Sequence, residues 1–245
     1  MAPNTANNPF ARFQVLSGST LKVLAVATML IDHTAGALLS KNPVELFSIA
    51  GRTVTLYMIL RTIGRVAFPV FAFLLTEGFV HTRNRKAYGI SLFVFALLSE
   101  IPWNLLHAGT LFCPSQNVFF TLFLGFLALC CCERFKENGM LRFVLCFAIV
   151  FLAVLARCDY GARGVAIILI FYLLREDRVM QTVCGTGILA SSYQTLGVAA
   201  GFCSLLLYNG KRGFINNRIL KYLFYAIYPV HMLVLYCLKK KYIGY

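Results

Sequence analysis

The chain has 245 residues, of which 59% are hydrophobic and 13% charged, with a mean hydropathy of +0.74; soluble domains carry about 25% charged residues. That balance excludes a soluble globular enzyme and points to a polytopic membrane protein. The net charge of +14 does not indicate nucleic acid, because the cations sit in short segments between apolar runs, as in loops retained on the inner face of a membrane.

Residues 1–20 are polar and lack an apolar run followed by a small-residue cleavage site, so they read as a cytoplasmic N-terminal segment and not as a signal peptide. Apolar runs punctuated by charge and glycine predict spans at about 21–40, 56–80, 87–107, 117–132, 141–157, 163–175, 179–194, 195–209 and 219–238. The expectation is an all-α polytopic fold of about nine transmembrane helices (eight to ten), one membrane domain over 21–238 and a basic tail over 239–245. The stretch from Val179 to Tyr208 is too long for one upright span and short for two; reading it as two gives nine. With the N-terminus inside, Arg12, Lys22, Arg83, Arg85, Lys86, Arg134, Lys136, Arg142, Arg175, Arg178, Lys211, Arg212, Arg218 and Lys221 fall on the inner side. The outer side holds Lys41, Arg52, Arg157, Arg163 and Lys239 to Lys241. An eight-span count leaves nearly the same ratio, so charge does not choose between them. The nine cysteines have no zinc-finger or C-x-x-C spacing and read as small buried hydrophobes, with Cys113 and Cys158 able to meet outside; no metal is expected.

In the first span, Met29 to Thr34 puts Asp32 and His33 at mid-run, His33 roughly 18 Å from the end near Leu21. An ionisable group at that depth costs on the order of 3 kcal/mol or more without a partner, which makes the default reading functional. Lys22 precedes His33 by nearly a whole number of turns, so both project from one face about 16 Å apart. That offset suits an elongated donor such as coenzyme A, its phosphates at the inner boundary and its thioester at the imidazole. Asp32 points about 100° away from His33.

The second span carries Arg61 and Arg65 ahead of Phe68-Pro69, where proline permits a kink. Arg65 lies roughly 22 Å from the inner end near Val80, while Glu77 and His81, four apart on one face, lie near that boundary. Arg83-Asn84-Arg85-Lys86 follows; with Lys22 and Lys211-Arg212 it would meet phosphates, and singly each is an ordinary topology-setting cation. Ser99-Glu100-Ile101-Pro102-Trp103-Asn104 puts Glu100 roughly 20 Å deep, and His231 comes out at roughly 18 Å if the last span starts inside. His33, Arg65, Glu100 and His231, from four helices, are therefore expected to share one layer. The layer reads as a site; the alternative is a structural network in which Glu100 pairs with Arg65 and the histidines are hydrogen-bonded spectators.

No activated serine or cysteine is evident. A direct transfer fits best, with His33 as general base, Glu100 orienting the imidazole or pairing with Arg65, and Arg65 or another donor stabilising an oxyanion. In the outer loop from Arg157 to Gly164, Asp159 and Tyr160 are placed to receive an acceptor, or Asp159 caps the next helix. Ser191, Ser192 and Thr195 read as groups that satisfy backbone at a broken helix.

Lys22 to Asp32-His33, Gly64 to Phe79, Ser99 to Leu106, Asp159-Tyr160-Gly161 with Gly164-Val165, and Tyr228-Pro229-Val230-His231 resemble, in residues and in order, the TraX family. The resemblance runs from about residue 20 to 238. TraX proteins are bacterial membrane acetyltransferases, distantly similar to the transmembrane acyltransferase superfamily; the best-known member acetylates the N-terminal amine of pilin. The resemblance implies an acyltransferase-3-like bundle in the bacterial cytoplasmic membrane, acetyl-CoA as donor and a peptide or glycan acceptor. Lys22 and His33 match the superfamily's basic residue, ten intervening residues and histidine. Phe71 to Phe79 followed by Arg83, Arg85 and Lys86 is similar to its segment implicated in holding coenzyme A. The expected catalytic set is therefore His33, Glu100, Arg65 and Asp32, the donor-binding set Lys22, Arg83, Arg85 and Lys86, and the acceptor or supporting set Glu77, Asn104, Asp159, Tyr160 and His231. The rivals are a transporter, since buried charges and broken helices also mark substrate pathways, and a non-catalytic scaffold.

Overall fold

An apolar run becomes a stable helix where a side chain takes up the first amides that the helix itself leaves unpaired. Ser17 does this for α1 (Gly18–Leu38), Thr55 for α2 (Leu56–Gly64) and Asn84 for α4 (Arg85–Ala108), which Gly109 closes at a φ of 72°. Asn117 opens α5 (Val118–Arg134), Asn138 opens α6 (Gly139–Leu155) and Asn217 opens α10 (Arg218–Tyr242). The remaining elements are β1 (Glu45–Ile49), β2 (Arg52–Thr55), α3 (Ala67–His81), α7 (Gly161–Leu173), α8 (Arg178–Ala190) and α9 (Thr195–Leu206). The structure is a computed structural model that describes residues 11–49, 51–190 and 194–243.

Each expected span is helical, the second being divided between α2 and α3, and the fold is mostly helical. Four stretches are long and apolar enough to cross a membrane: Gly18–Leu38, Leu56–His81, Arg85–Ala108 and Ile219–Tyr242. Gly139–Leu155, Gly161–Leu173 and Thr195–Leu206 are shorter apolar helices. Residues 179–209 do hold two helices, but at 13 and 12 residues they reach only about 20 and 18 Å against a core of about 30 Å. Neither can cross it upright.

Four local expectations change. The second span breaks at Arg65 and Val66, ahead of Pro69, because proline has no N–H to donate to the carbonyl of residue i−4, here Arg65, and its ring clashes with that carbonyl. Residues 45–55 form an antiparallel hairpin with Ile49 opposite Arg52 and a bulge between Glu45 and Phe47. Its sequence signals were the β-branched run Thr53-Val54-Thr55 and Gly51, which turns at a φ of 75°. The basic tail is helical through Lys239, Lys240 and Lys241. Cys113 and Cys158 are both buried free thiols. Ser191 and Ser192 lie outside the described residues, as do residues 1–10.

The chain divides into two compact units, one running through Phe71 and resuming at Arg178, the other spanning Ala72–Asp177. In the first, α1 packs on α2 and α10, α2 on α9, and α9 on α8. In the second, α5 packs on α4, α6 and α7, and Gly125 of α5 leaves the space that Ile168 of α7 fills. Gly197 of α9 lies so close to α2 that a Cβ there would run into the Thr62 carbonyl and Arg65 Cβ. Gly197→Ala is therefore expected to destabilise the protein by about 1–3 kcal/mol. Gly187→Ala on α8, whose Cβ would meet nothing within 4 Å, is expected to be neutral or stabilising by about 1 kcal/mol. Unfolding of the two purified variants in detergent compares them; equal losses would contradict the close α2–α9 approach.

Candidate functional site

Consecutive residues on a helix face about 100° apart, and α1 uses that angle to serve two neighbours at once. Asp32 turns toward α2, where Arg61 Nη1 donates to Oδ2 at 2.5 Å and Arg65 Nη2 stands 3.4 Å from Oδ1. Among the described residues Oδ1 accepts no hydrogen bond and is held by charge. The carboxylate occupies the space where Gly64 would carry a Cβ, so glycine at that turn is what lets the acid reach both guanidiniums. Asp32 and Arg65 are buried; the Arg61 side chain is 24% exposed. Two guanidiniums around one carboxylate leave a surplus positive charge in the cluster.

His33 turns toward α10. Its Nδ1 lies 2.7 Å from Nε2 of His231, and His231 Nδ1 donates to the Ile227 carbonyl one turn back, also at 2.7 Å. The ring centroids are 5.0 Å apart with planes 10° from parallel. That spacing exceeds the nitrogen–nitrogen distance by about two ring radii, so the imidazoles meet end to end. Tyr228, buried, sets its ring edgewise to both, at 5.9 and 5.6 Å.

At the start of α1, Lys22 holds its ammonium 5.9 Å over the Phe224 ring, with Arg212 and Lys221 within electrostatic reach. The loop carrying Lys211 and Arg212 is pinned there: Gly18 N–H donates to the Lys211 carbonyl at 2.8 Å, and Ser19 donates to the Arg212 carbonyl through both N–H and Oγ. The glycine at 213, with a φ of 82°, makes that approach sterically possible.

Of the expected layer, His33, Arg65 and His231 thus share the first unit with Asp32. Glu100 belongs to the second, and the pairing expected for it changes. Arg65 takes Asp32 as its acid, while Glu100 Oε2 accepts from Asn117 Nδ2 at 2.7 Å. Asn117 is fully buried and shares that donor with the Ala96 carbonyl. Asn104 bonds Glu100 and the Leu111 carbonyl. His81 donates to the Glu77 backbone carbonyl at 2.9 Å, not to its carboxylate. Arg85 lies 4.3 Å over the Phe79 ring and 4.0 Å from Glu133, whereas Arg83 and Lys86 are exposed.

Asp159 does not cap α7. That position falls to Tyr160, whose backbone takes a φ of 63° with no side-chain cap, and Asp159 Oδ1 instead accepts from Tyr160 N–H. The loop is tied down by Thr121 Oγ1, which donates to the Asp159 carbonyl, and by backbone bonds between Gln116 and residues 157 and 159. Burial, with the charges of Asp159 and Glu100, pushes the Cys158 thiol up to about 11, so it stays protonated and is a poor nucleophile. Among the described residues no three His, Cys, Asp or Glu side chains come together as a metal site.

Arg61, Tyr228, Lys221 and Asn117 were absent from the expected site. Arg61 was legible, since it precedes Arg65 by one helical turn and shares its face; Tyr228 stands in the same relation to His231. Lys221 and Asn117 owe their places to tertiary packing.

Removing Asp32 strands the buried Arg65 and the partly buried Arg61, so Asp32→Ala is expected to cost about 3–5 kcal/mol. Arg61→Ala, which leaves Asp32 with Arg65, is expected to cost less. Denaturant unfolding of the two variants measures the difference, and wild-type stability in Asp32→Ala would contradict the cluster.

Residues 17–239 match the profile of the family described as TraX protein. The chain is 29% identical over 255 residues to the Probable fimbrial assembly protein FimC, serogroup H1, of Dichelobacter nodosus, an alignment covering 94% of this chain and 96% of that one. No solved structure matches.

Proposed function

The chain belongs to the TraX family, and we propose that it is an integral membrane acetyltransferase of the bacterial cytoplasmic membrane, N-terminus inside, moving an acetyl group from acetyl-CoA to an amine or hydroxyl. The observation that carries this reading is the His33–His231 contact at 2.7 Å on the residue next to the Asp32 ion cluster. An imidazole is kept in an apolar span by protein partners, where water cannot hold it.

In this mechanism His33 is the general base. It takes the proton from the acceptor's N–H or O–H as that atom attacks the thioester carbonyl carbon. The new N–C or O–C bond forms, the C–S bond breaks, and the proton passes on to the departing thiolate. Charge developing on the carbonyl oxygen is met by the surplus positive charge of Arg61 and Arg65 over Asp32, in a setting where such donors act strongly. Lys22, with Arg212 and Lys221 beside it, is assigned to the donor's phosphates. For Arg83, Arg85 and Lys86 the support for donor binding is the family pattern. Glu100, Asn104, Asp159 and Tyr160 of the second unit are proposed for acceptor recognition, with Glu77 in support. A pilin-like peptide N-terminus is the acceptor favoured by the family's association with pilin acetylation and by the relative's name as a probable fimbrial assembly protein.

Acetyl-CoA, but not free acetate, is expected to raise the melting temperature of the purified protein. His33→Ala is expected to keep that shift while losing acetyl transfer by about 10²-fold or more. Wild-type transfer in His33→Ala would refute the base, and a shift with acetate alone would favour a transporter.

A further inference from the structure

We infer that His231 is a positioning residue that fixes the proton of His33 on Nδ1 and thereby makes Nε2 its basic nitrogen. This deepens the acetyltransferase reading and rests on it only in the kinetic part of the test.

The direction of the hydrogen bonds follows from one atom that can only accept. The Ile227 carbonyl lies 2.7 Å from His231 Nδ1, so that nitrogen bears the hydrogen. A neutral imidazole has one N–H, and His231 Nε2 is therefore left with its lone pair. It faces His33 Nδ1 at 2.7 Å. Two lone pairs at that distance repel, so His33 Nδ1 carries the second hydrogen. The lone pair of His33 is then on Nε2, the ring nitrogen turned away from His231. The polarity is fixed at its origin, because Ile227 and His231 are one turn apart on α10 and their contact does not depend on how α10 meets α1.

The geometry suits this role and no stacking role. The rings lie nearly in one plane, 10° apart, which aims each N–H along the line to its acceptor. Tyr228 packs edgewise on both rings and holds that plane. When Nε2 of His33 takes a proton, the Nδ1–H already points at a lone pair, so the cation that forms is stabilised as it forms and its charge is shared with the second ring. With the opposite tautomer, an N–H would stand where the base is needed. A wrong tautomer in an otherwise intact site costs about 10²–10⁴-fold in turnover.

The test uses the full chain labelled with ¹⁵N-histidine, the His33 signals being identified by their loss in His33→Gln. Wild-type protein is expected to show His33 protonated at Nδ1 and bare at Nε2, and His231→Phe, which keeps ring bulk but removes the acceptor, to release that preference. In acetyl transfer, His231→Phe is expected to lose about 10²-fold or more in kcat with KM for acetyl-CoA unchanged. His231→Gln, whose carbonyl can accept from Nδ1, is expected to return to within about tenfold of wild type. A wild-type His33 protonated at Nε2, or equal kcat in the Phe and Gln variants, overturns the inference. The expected spectra in a protein that transfers no acetyl group would uphold the positioning role and refute the acetyltransferase reading.

Discussion

A buried carboxylate inside an apolar helix needs cations, and Asp32 has two. The rest of the site depends on that arrangement. Asp32 draws Arg61 and Arg65 of α2 against α1, which requires glycine at 64 beneath the acid and glycine at 197 behind the arginines. The next residue along, facing about 100° away, is thereby left to α10.

The acid and the imidazole consequently have separate duties. In many hydrolytic sites a carboxylate orients the histidine; in the positioning role inferred for His231, a backbone carbonyl does so through a second histidine. A neutral anchor has a physical advantage in an apolar setting, since it orients the base without placing another uncompensated charge in the span. In the proposed mechanism the positive surplus stays with Arg61 and Arg65, where it would meet a developing oxyanion, apart from the histidine pair that handles the proton. Lys22 and its neighbours add charge at the other end of α1, about 16 Å away along one face, a separation that would suit the long, phosphate-bearing donor proposed above.

Much of the scaffold was legible from hydropathy, because each expected span is helical, the second as two helices, and the caps Asn84, Asn117, Asn138 and Asn217 sit where the charge and polarity breaks fall. Depth reasoning also singles out His33, Arg65 and His231, which share one unit with Asp32. It could not assign partners. Four residues at one depth say nothing of rotation about each helix axis, so Glu100 was expected to pair with Arg65 or His33, and Asn117 was overlooked as its donor. Helix rotation is set by small residues at crossings, here Gly64 and Gly197, and single-sequence periodicity does not register that. The hairpin at 45–55 was missed because a short β-branched run among long apolar ones carries little weight in a span count. The stretch from Val179 to Tyr208 already reads as short for two spans, and α8 and α9 are correspondingly short; apolar composition alone does not distinguish two short helices from two crossings.

The central claim is that an imidazole in the first span moves an acetyl group between two chemical partners. It is tested most directly by giving acetyl-CoA with an isotope-labelled acetyl group to inverted membrane vesicles containing either the wild-type chain or His33→Gln, then locating the label by mass spectrometry. Labelled acetyl is expected on a membrane-associated peptide or glycan, with matching release of free coenzyme A, in wild-type vesicles alone. The same labelled products from both vesicle types would contradict it.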